Sequence, residues 1–320
     1  MHVKIILCHT SALDYIRTTR WYRGALHGAR VKNLEDCASS LSEVKSIAIP
    51  AFEQSDKRLE VLVGTESDRQ RSEEHVCRSL KAEPITGMFC RIDRNAFVTS
   101  PEMTFVQMAT RLSQIELLKL GMELCGTYAF DPFSSNFDNR DPVTSKRKIA
   151  AFCRRASTVR GAAKAAKALR WIVDGSNSPA ETSLMLYLCL PVRLGGYGFS
   201  LPEMNPTTQL SQQASRMLGY GSMRCDLHWQ DSHVVVEYDS DQEHLNSRTA
   251  SVDAARRNVL GFEDITVISV HKPMLENPIA FNGVAKQLAR ALGRYLRPRD
   301  LEYTDARRSL HKQLFPWVRG

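Results

Sequence analysis

No stretch of this 320-residue chain reaches about 18 consecutive apolar residues, so a membrane-spanning helix is not expected. The opening MHVKIILCHTSALDY contains an apolar run of only four residues, too short for the hydrophobic region of a secretory leader. The eight cysteines, at 8, 37, 77, 90, 125, 153, 189 and 225, include no C-x-x-C pair, which points away from a zinc site and from a disulfide framework. Most of them lie inside apolar segments, the usual setting of buried free thiols, and a reduced, cytoplasmic compartment is expected. Internal repeats and low-complexity tracts are lacking as well. There is no G-x-S-x-G nucleophile elbow, and GGYG at 195–198 has neither the spacing nor the lysine of a phosphate loop.

What is present is an ordinary globular composition, 43% hydrophobic and 24% charged, in a chain long enough for two domains. The formal charge of +8 permits a polyanionic partner without proving one. Acids are wholly missing from Lys146 to Val173, where nine Lys and Arg residues occur. Alanine favours helix here, and Ile149, Phe152, Ala163, Ala166 and Leu169 form an apolar stripe, so two basic helices are predicted. They are either a solvated basic face on packed helices or a footprint for nucleic-acid phosphates. In the second case Arg147, Arg154, Arg155, Arg160, Lys164 and Lys167 make the contacts.

Periodicity and turn chemistry divide the chain into an N-terminal mixed α+β domain (1–128), a linker (129–145) and the basic helical segment (146–176). An α/β domain (177–297) and a polar tail, helical over 304–314, follow. In the first domain TSALDYIRTTR predicts a helix, RLEVLVG a strand and GMFCRIDRNAFVTS a hairpin. Ser100 and Pro101 are the cap and first residue of another helix. In the C-terminal domain SPAETSLMLYLCL predicts a helix, VRLGGYGFSL a strand around its glycines, and RCDLHW with HVVVEYD a hairpin. A helix stopped by Gly261, a strand at DITVISV and a last helix complete one central sheet flanked by helices.

The run HVVVEYDSDQEH ends an apolar strand in Glu237, Asp239 and Asp241. Alternation puts Val235, Glu237 and Asp239 on one face. A two-residue turn at Asp231 and Ser232 makes paired positions sum to 463, which sets Asp226 opposite Glu237 and Arg224 opposite Asp239. Opposed carboxylates about 4.5–5.5 Å apart between Cβ atoms repel. They need a raised pKa, a basic partner or a cation, and Mg2+ with oxygen ligands is the sharpest answer. Glu181 reads either as the third helical residue of a capping box begun by Ser178 or as a fourth acid leaning on the cluster. Arg256 aligns with the apolar side of its helix and calls for a carboxylate or phosphate, while His244 follows the strand closely enough to orient water or touch phosphate.

In order, SPAET, CDLHW, VVVEYDSDQEH, DAARRNVL and ITVISV resemble the motifs of the PD-(D/E)xK, or restriction-endonuclease-like, superfamily, nearest its Vsr-like branch. The resemblance covers about 178–272. It implies a restriction-endonuclease-like domain holding Mg2+ or Mn2+ on Asp226, Glu237, Asp239 and Glu181, with His244 and Arg256 beside the metal. The sequence departs from that pattern at Ser240, where the family has glycine, at His244, one position late, and at Ser269, where the family has arginine. More loosely, VTSPEMTFVQMATRL is similar to a stretch of AbiEi-type antitoxins and regulators. These resemblances imply a metal-dependent endonuclease acting on DNA, or else a DNA-binding regulator built on an inactive nuclease fold.

Overall fold

The computed structural model describes residues 3–18, 26–46, 57–239, 259–261 and 263–316. The chain is a mixed α/β protein of two compact units, Met1–Ile172 and Val173–Gly320. Among the described residues no helix is long and apolar enough to cross a membrane. All eight cysteines are free, and all but Cys37 are buried.

The first unit is built on a six-stranded mixed sheet of β1 (Ile5–Leu7), β2 (His27–Ala29), β3 (Leu59–Val63), β4 (His75–Ser79), β5 (Phe89–Arg91) and β6 (Ala96–Thr99), in the order β2-β5-β6-β1-β3-β4. β1 runs parallel to β6 and β3 to β4, and the remaining pairs are antiparallel. Alternate residues Ile5, Leu7, Val61, Val63, Cys77, Ala96 and Val98 pack with Ala12 of α1 (His9–Thr18) and Val44 of α2 (Leu41–Lys45). The hairpin of β5 and β6 forms where the sequence predicts it. Ser100 accepts the Met103 N–H at the start of α3 (Pro101–Met108), as its cap position requires. α4 (Gln114–Leu124) begins with a full capping box between Ser113 and Glu116.

Residues 129–145, expected as a linker, instead carry the hairpin β7 (Tyr128–Phe130) and β8 (Phe137–Asn139) inside the first unit. Asp, Asn, Ser and Pro mark turns as well as linkers. Here Tyr128, Phe130 and Phe137 close the turn with edge-on ring contacts. The basic segment also belongs to this unit, as α5 (Lys146–Arg155) and α6 (Ala162–Ala168), both packed on α3. α6 buries Ala162, Ala165 and Ala168, leaving Ala163 and Ala166 exposed, one residue off the expected stripe. The repeat AAKAAKA has alanine on either side of each lysine, so its pattern leaves the phase open. Gly161 fixes it: its φ of 100° and its closeness to the Val106 carbonyl set where the helix begins.

The second unit starts with α7 (Pro179–Cys189). Its main sheet holds β9 (Glu203–Met204), β12 (Leu227–Trp229), β13 (Val234–Asp239) and β14 (Thr266–His271). Between β9 and β12 the chain makes a separate ribbon, β10 (Thr207–Gln209) and β11 (Ser222–Arg224), joined through α8 (Gln212–Leu218). The main sheet has the order β14-β13-β12-β9, antiparallel except for the parallel pair β13 and β14. α7 lies against β13, and the helix Pro278–Ala291 lies against β14.

VRLGGYGFSL is not a strand: Val192–Leu194 is a 3-10 turn, and Gly195 continues it at φ 94°. The physical reason is Arg307, only 1% exposed. Its guanidinium donates to the carbonyls of Gly195, Gly196 and Asp300 and stacks 3.9 Å from the Tyr197 ring centroid. The carbonyls a strand partner would use are taken by an arginine. The tail helix Asp305–Leu314 forms where predicted, yet it is seated within the second unit, with Ser183 donating to the Leu314 carbonyl at 2.8 Å and His311 meeting the Leu275 carbonyl at 2.6 Å.

Candidate active site

The pairing of β12 with β13 is the one the sequence predicts. Leu227 faces Val236, His228 faces Val235 and Trp229 faces Val234, all summing to 463, although the turn is the 3-10 segment Gln230–Ser232 and His233 at φ 52°. Continued by one residue, that register sets Asp226 across from Glu237. The strand stops there: Cys225 and Asp226 separate β11 from β12, and Asp226 Oδ2 accepts the Tyr238 N–H at 2.8 Å. A side-chain oxygen thus takes an amide that a continuing neighbour strand would have met with a backbone carbonyl. Arg224 is not opposite Asp239, because β11 pairs with β10, where Thr207 faces Arg224. Its Nε reaches the Asn205 carbonyl at 3.4 Å.

Glu181 takes the capping role open to it. Its N–H goes to Ser178 Oγ at 3.1 Å, and its carboxylate accepts from Ser178 Oγ and from the Asn177 N–H, one residue earlier than a standard box. It is also 6% exposed, and burial followed by the negative charge of Asp226 pushes its pKa up against the pull of those donors. Asn205 ties the two acids together. Its Nδ2 donates to Glu181 Oε2 at 2.5 Å and its backbone N–H to the Asp226 carbonyl at 2.9 Å, from a left-handed backbone at φ 50°. Asparagine tolerates that conformation better than most residues, the one signal by which the sequence could have marked it.

The parallel strand supplies a residue that sequence reasoning missed. In the β13–β14 register Glu237 lies beside Ser269 and Asp239 beside His271, whose Nδ1 is 3.5 Å from Asp239 Oδ2. Counting two residues on from Ser269 would have found it. On the same face, Val235 and Val267 pack with Leu260, Ile265, Met223 and Cys225, so the end of the segment DAARRNVL covers the apolar beginning of the face that ends in Glu237 and Asp239. His244 and Arg256 lie outside the described residues. Among the described residues no three His, Cys, Asp or Glu side chains are grouped to hold a metal ion.

Arg147, Arg154, Arg155, Arg160, Lys164 and Lys167 are all exposed on α5, α6 and the turn between them. Lys164 donates to the Leu112 carbonyl at 2.5 Å, and the Arg155 guanidinium lies 5.9 Å from the Phe152 ring centroid. Compared with protein-family models, with curated proteins and with solved structures, the chain matches none of them.

Proposed function

We propose that the second unit is a metal-dependent nuclease of restriction-endonuclease-like architecture that hydrolyses phosphodiester bonds in DNA. The observation that carries this reading is the β12–β13 register, which continued one residue past Leu227 sets Asp226 across from Glu237, beside a buried Glu181 that feels the Asp226 charge. The order of elements also supports it: a glutamate-bearing helix, an aspartate leading into a strand, an apolar strand ending in E-x-D, and a parallel strand beside it. The donor chemistry suits Mg2+ or Mn2+, since Asp226 and Glu237 offer hard oxygen ligands and Mg2+ commonly uses one or two carboxylates. Such an ion supplies a water of lowered pKa and neutralises charge on the scissile phosphate. Asp226 and Glu237 would hold it, with Asp239 near His271 at the end of the same strand, and His244 or Arg256 would contact the phosphate.

A second reading, a DNA-binding regulator on an inactive nuclease fold, is favoured by the engagement of Asp226 with the Tyr238 amide and of Asp239 with His271. Glu237→Ala separates the two. Under the nuclease reading, purified protein cleaves DNA with Mg2+ or Mn2+, and the variant loses at least about a hundredfold in rate while binding DNA as before, since the metal's charge stabilisation is worth several kcal/mol. Absence of cleavage by the unmutated chain, together with no calorimetric metal binding, sinks the nuclease and leaves the regulator.

A further inference from the structure

The first unit contains a cationic site that the nuclease reading does not use. A cavity of about 620 Å3 is lined by Arg58, Arg69, Arg71, Arg78, Arg111 and Lys57, with Glu60 the one acid among the described residues. A second cavity of about 460 Å3 shares Arg69, Arg78 and Arg111 with it. Both volumes lie in the range of small-ligand sites.

Glu60 is 6% exposed and anchors the junction. Its Oε1 accepts from Arg78 Nε and Nη2 at 3.0 and 2.7 Å, and from Arg111 Nη2 at 2.7 Å. Its Oε2 accepts from Arg111 Nη1 at 2.6 Å and from the Thr10 N–H at the start of α1 at 3.1 Å. Burial alone would raise this carboxyl, but the two guanidiniums and the amide outweigh it and hold the pKa down at about 2. Two arginines are therefore fixed in orientation at a wall common to two cavities, each with donors to spare, because a guanidinium carries five N–H groups.

Lys57 is paired with Asp14 at 2.9 Å, and Glu66 lines the second cavity, paired there with Lys81, so Glu60 is left to face the arginines. Among the described residues no carboxylate lies within ion-pair distance of Arg58, Arg69 or Arg71, and the latter two are exposed. Beside them, His9 lines the second cavity with its Nδ1 buried and lacking a hydrogen-bond partner, on a backbone held at φ 49°. A buried polar atom without a partner is rare enough to need one. Strained backbone of this kind concentrates at ligand sites.

We infer that the paired cavities around Arg69, Arg78 and Arg111 bind a phosphate group. Arginine forks match the geometry of phosphate oxygens, and an anion of charge near −2 compensates the arginines that Glu60 leaves unbalanced. The group belongs either to a free phosphate ester or to the backbone of a nucleic-acid strand. Among the described residues no Phe, Tyr or Trp lines either cavity, so recognition is of phosphate and not of stacked bases.

The test uses the full chain in EDTA at low salt, which removes any contribution from a divalent-metal site in the second unit. Inorganic pyrophosphate is titrated by calorimetry and a labelled single-stranded oligonucleotide by fluorescence anisotropy. At least one probe binds, and the double variant Arg69→Ala, Arg71→Ala weakens it about tenfold or more with its melting midpoint unchanged, because both side chains are exposed. Arg147→Ala, Arg154→Ala, on a helix outside these cavities, leaves pyrophosphate binding as it was. Pyrophosphate binding points to a free phosphate ester, and binding of the oligonucleotide alone points to a strand. No binding of either probe overturns the inference, as does binding that Arg69→Ala, Arg71→Ala leaves unmoved. Pyrophosphate binding that the α5 pair weakens equally overturns it too.

Discussion

Glu181 carries two loads, closing the first turn of α7 and facing the charge of Asp226. Its pKa is raised in the folded chain, so the native state holds a proton that the unfolded chain gives up at lower pH. The resulting stability is complete below the ordinary glutamate range and is lost as pH rises through the folded pKa. Glu181→Gln keeps an acceptor for Asn177 and Asn205 but removes this titration. Urea unfolding at several pH values between about 4 and 8 should show the unmutated chain losing stability with rising pH relative to the variant, and the gap should narrow when Mg2+ is added if a metal compensates the acids. Parallel curves would mean that burial and the Asp226 charge do not raise the Glu181 carboxyl in the folded chain. Local relations were legible here when the neighbours lay in one hairpin or one helical turn, as with the cap that Ser178 makes with Glu181 and the register of β12 on β13. The contacts of Asn205 with Glu181 and of His271 with Asp239 were not, because each comes from another element, through a β9-to-β12 connection and a parallel pairing that local periodicity does not encode.

Among the elements, those with strong apolar periodicity or clear caps formed where the sequence places them: α1, α3, the hairpin of β5 and β6, β13 and α7. Failures occurred where a partner elsewhere decides the outcome. The glycines after Leu194 would pass for a strand until Arg307 takes their carbonyls. β9 and β10 are too short and too polar to register as strands at all. RCDLHW reads as one strand, but the chain splits it at Cys225 and Asp226 between two sheets, which cancels the expected facing of Arg224 and Asp239. Leu260, among the described residues just before β14, packs with Val235 and Val267 on this face. Leu260, 1% exposed, should therefore matter to the sheet that carries the acids. Leu260→Ala is expected to cost about 2–4 kcal/mol by urea denaturation, and to lower any metal affinity with it. A cost below about 1 kcal/mol would show that Leu260 does not brace the sheet.

At the scale of the molecule, the division after Ile172 assigns the basic helices to the first unit and the acids to the second. Among the described residues, no strand of Val173–Gly320 enters the six-stranded sheet, and no strand of Met1–Ile172 enters the sheet of β13. Each unit also has its own packed apolar cluster. Units so built are able to fold as separate chains. The stretch expected as a linker at 129–145 carries a hairpin, because a polar hairpin and a true connection look alike until aromatic contacts close the hairpin. A fragment of residues 1–172 should unfold in urea in one cooperative transition and bind DNA without metal, with affinity falling steeply as salt rises. A fragment of residues 173–320 should keep any Mg2+-dependent cleavage while needing more DNA to saturate, since it lacks Arg147, Arg154 and their neighbours. The decisive comparison is the salt dependence of binding for the two fragments beside the whole chain. If the slope of the whole chain is carried by residues 173–320, the basic helices are a solvated face and the path of the nucleic acid lies elsewhere.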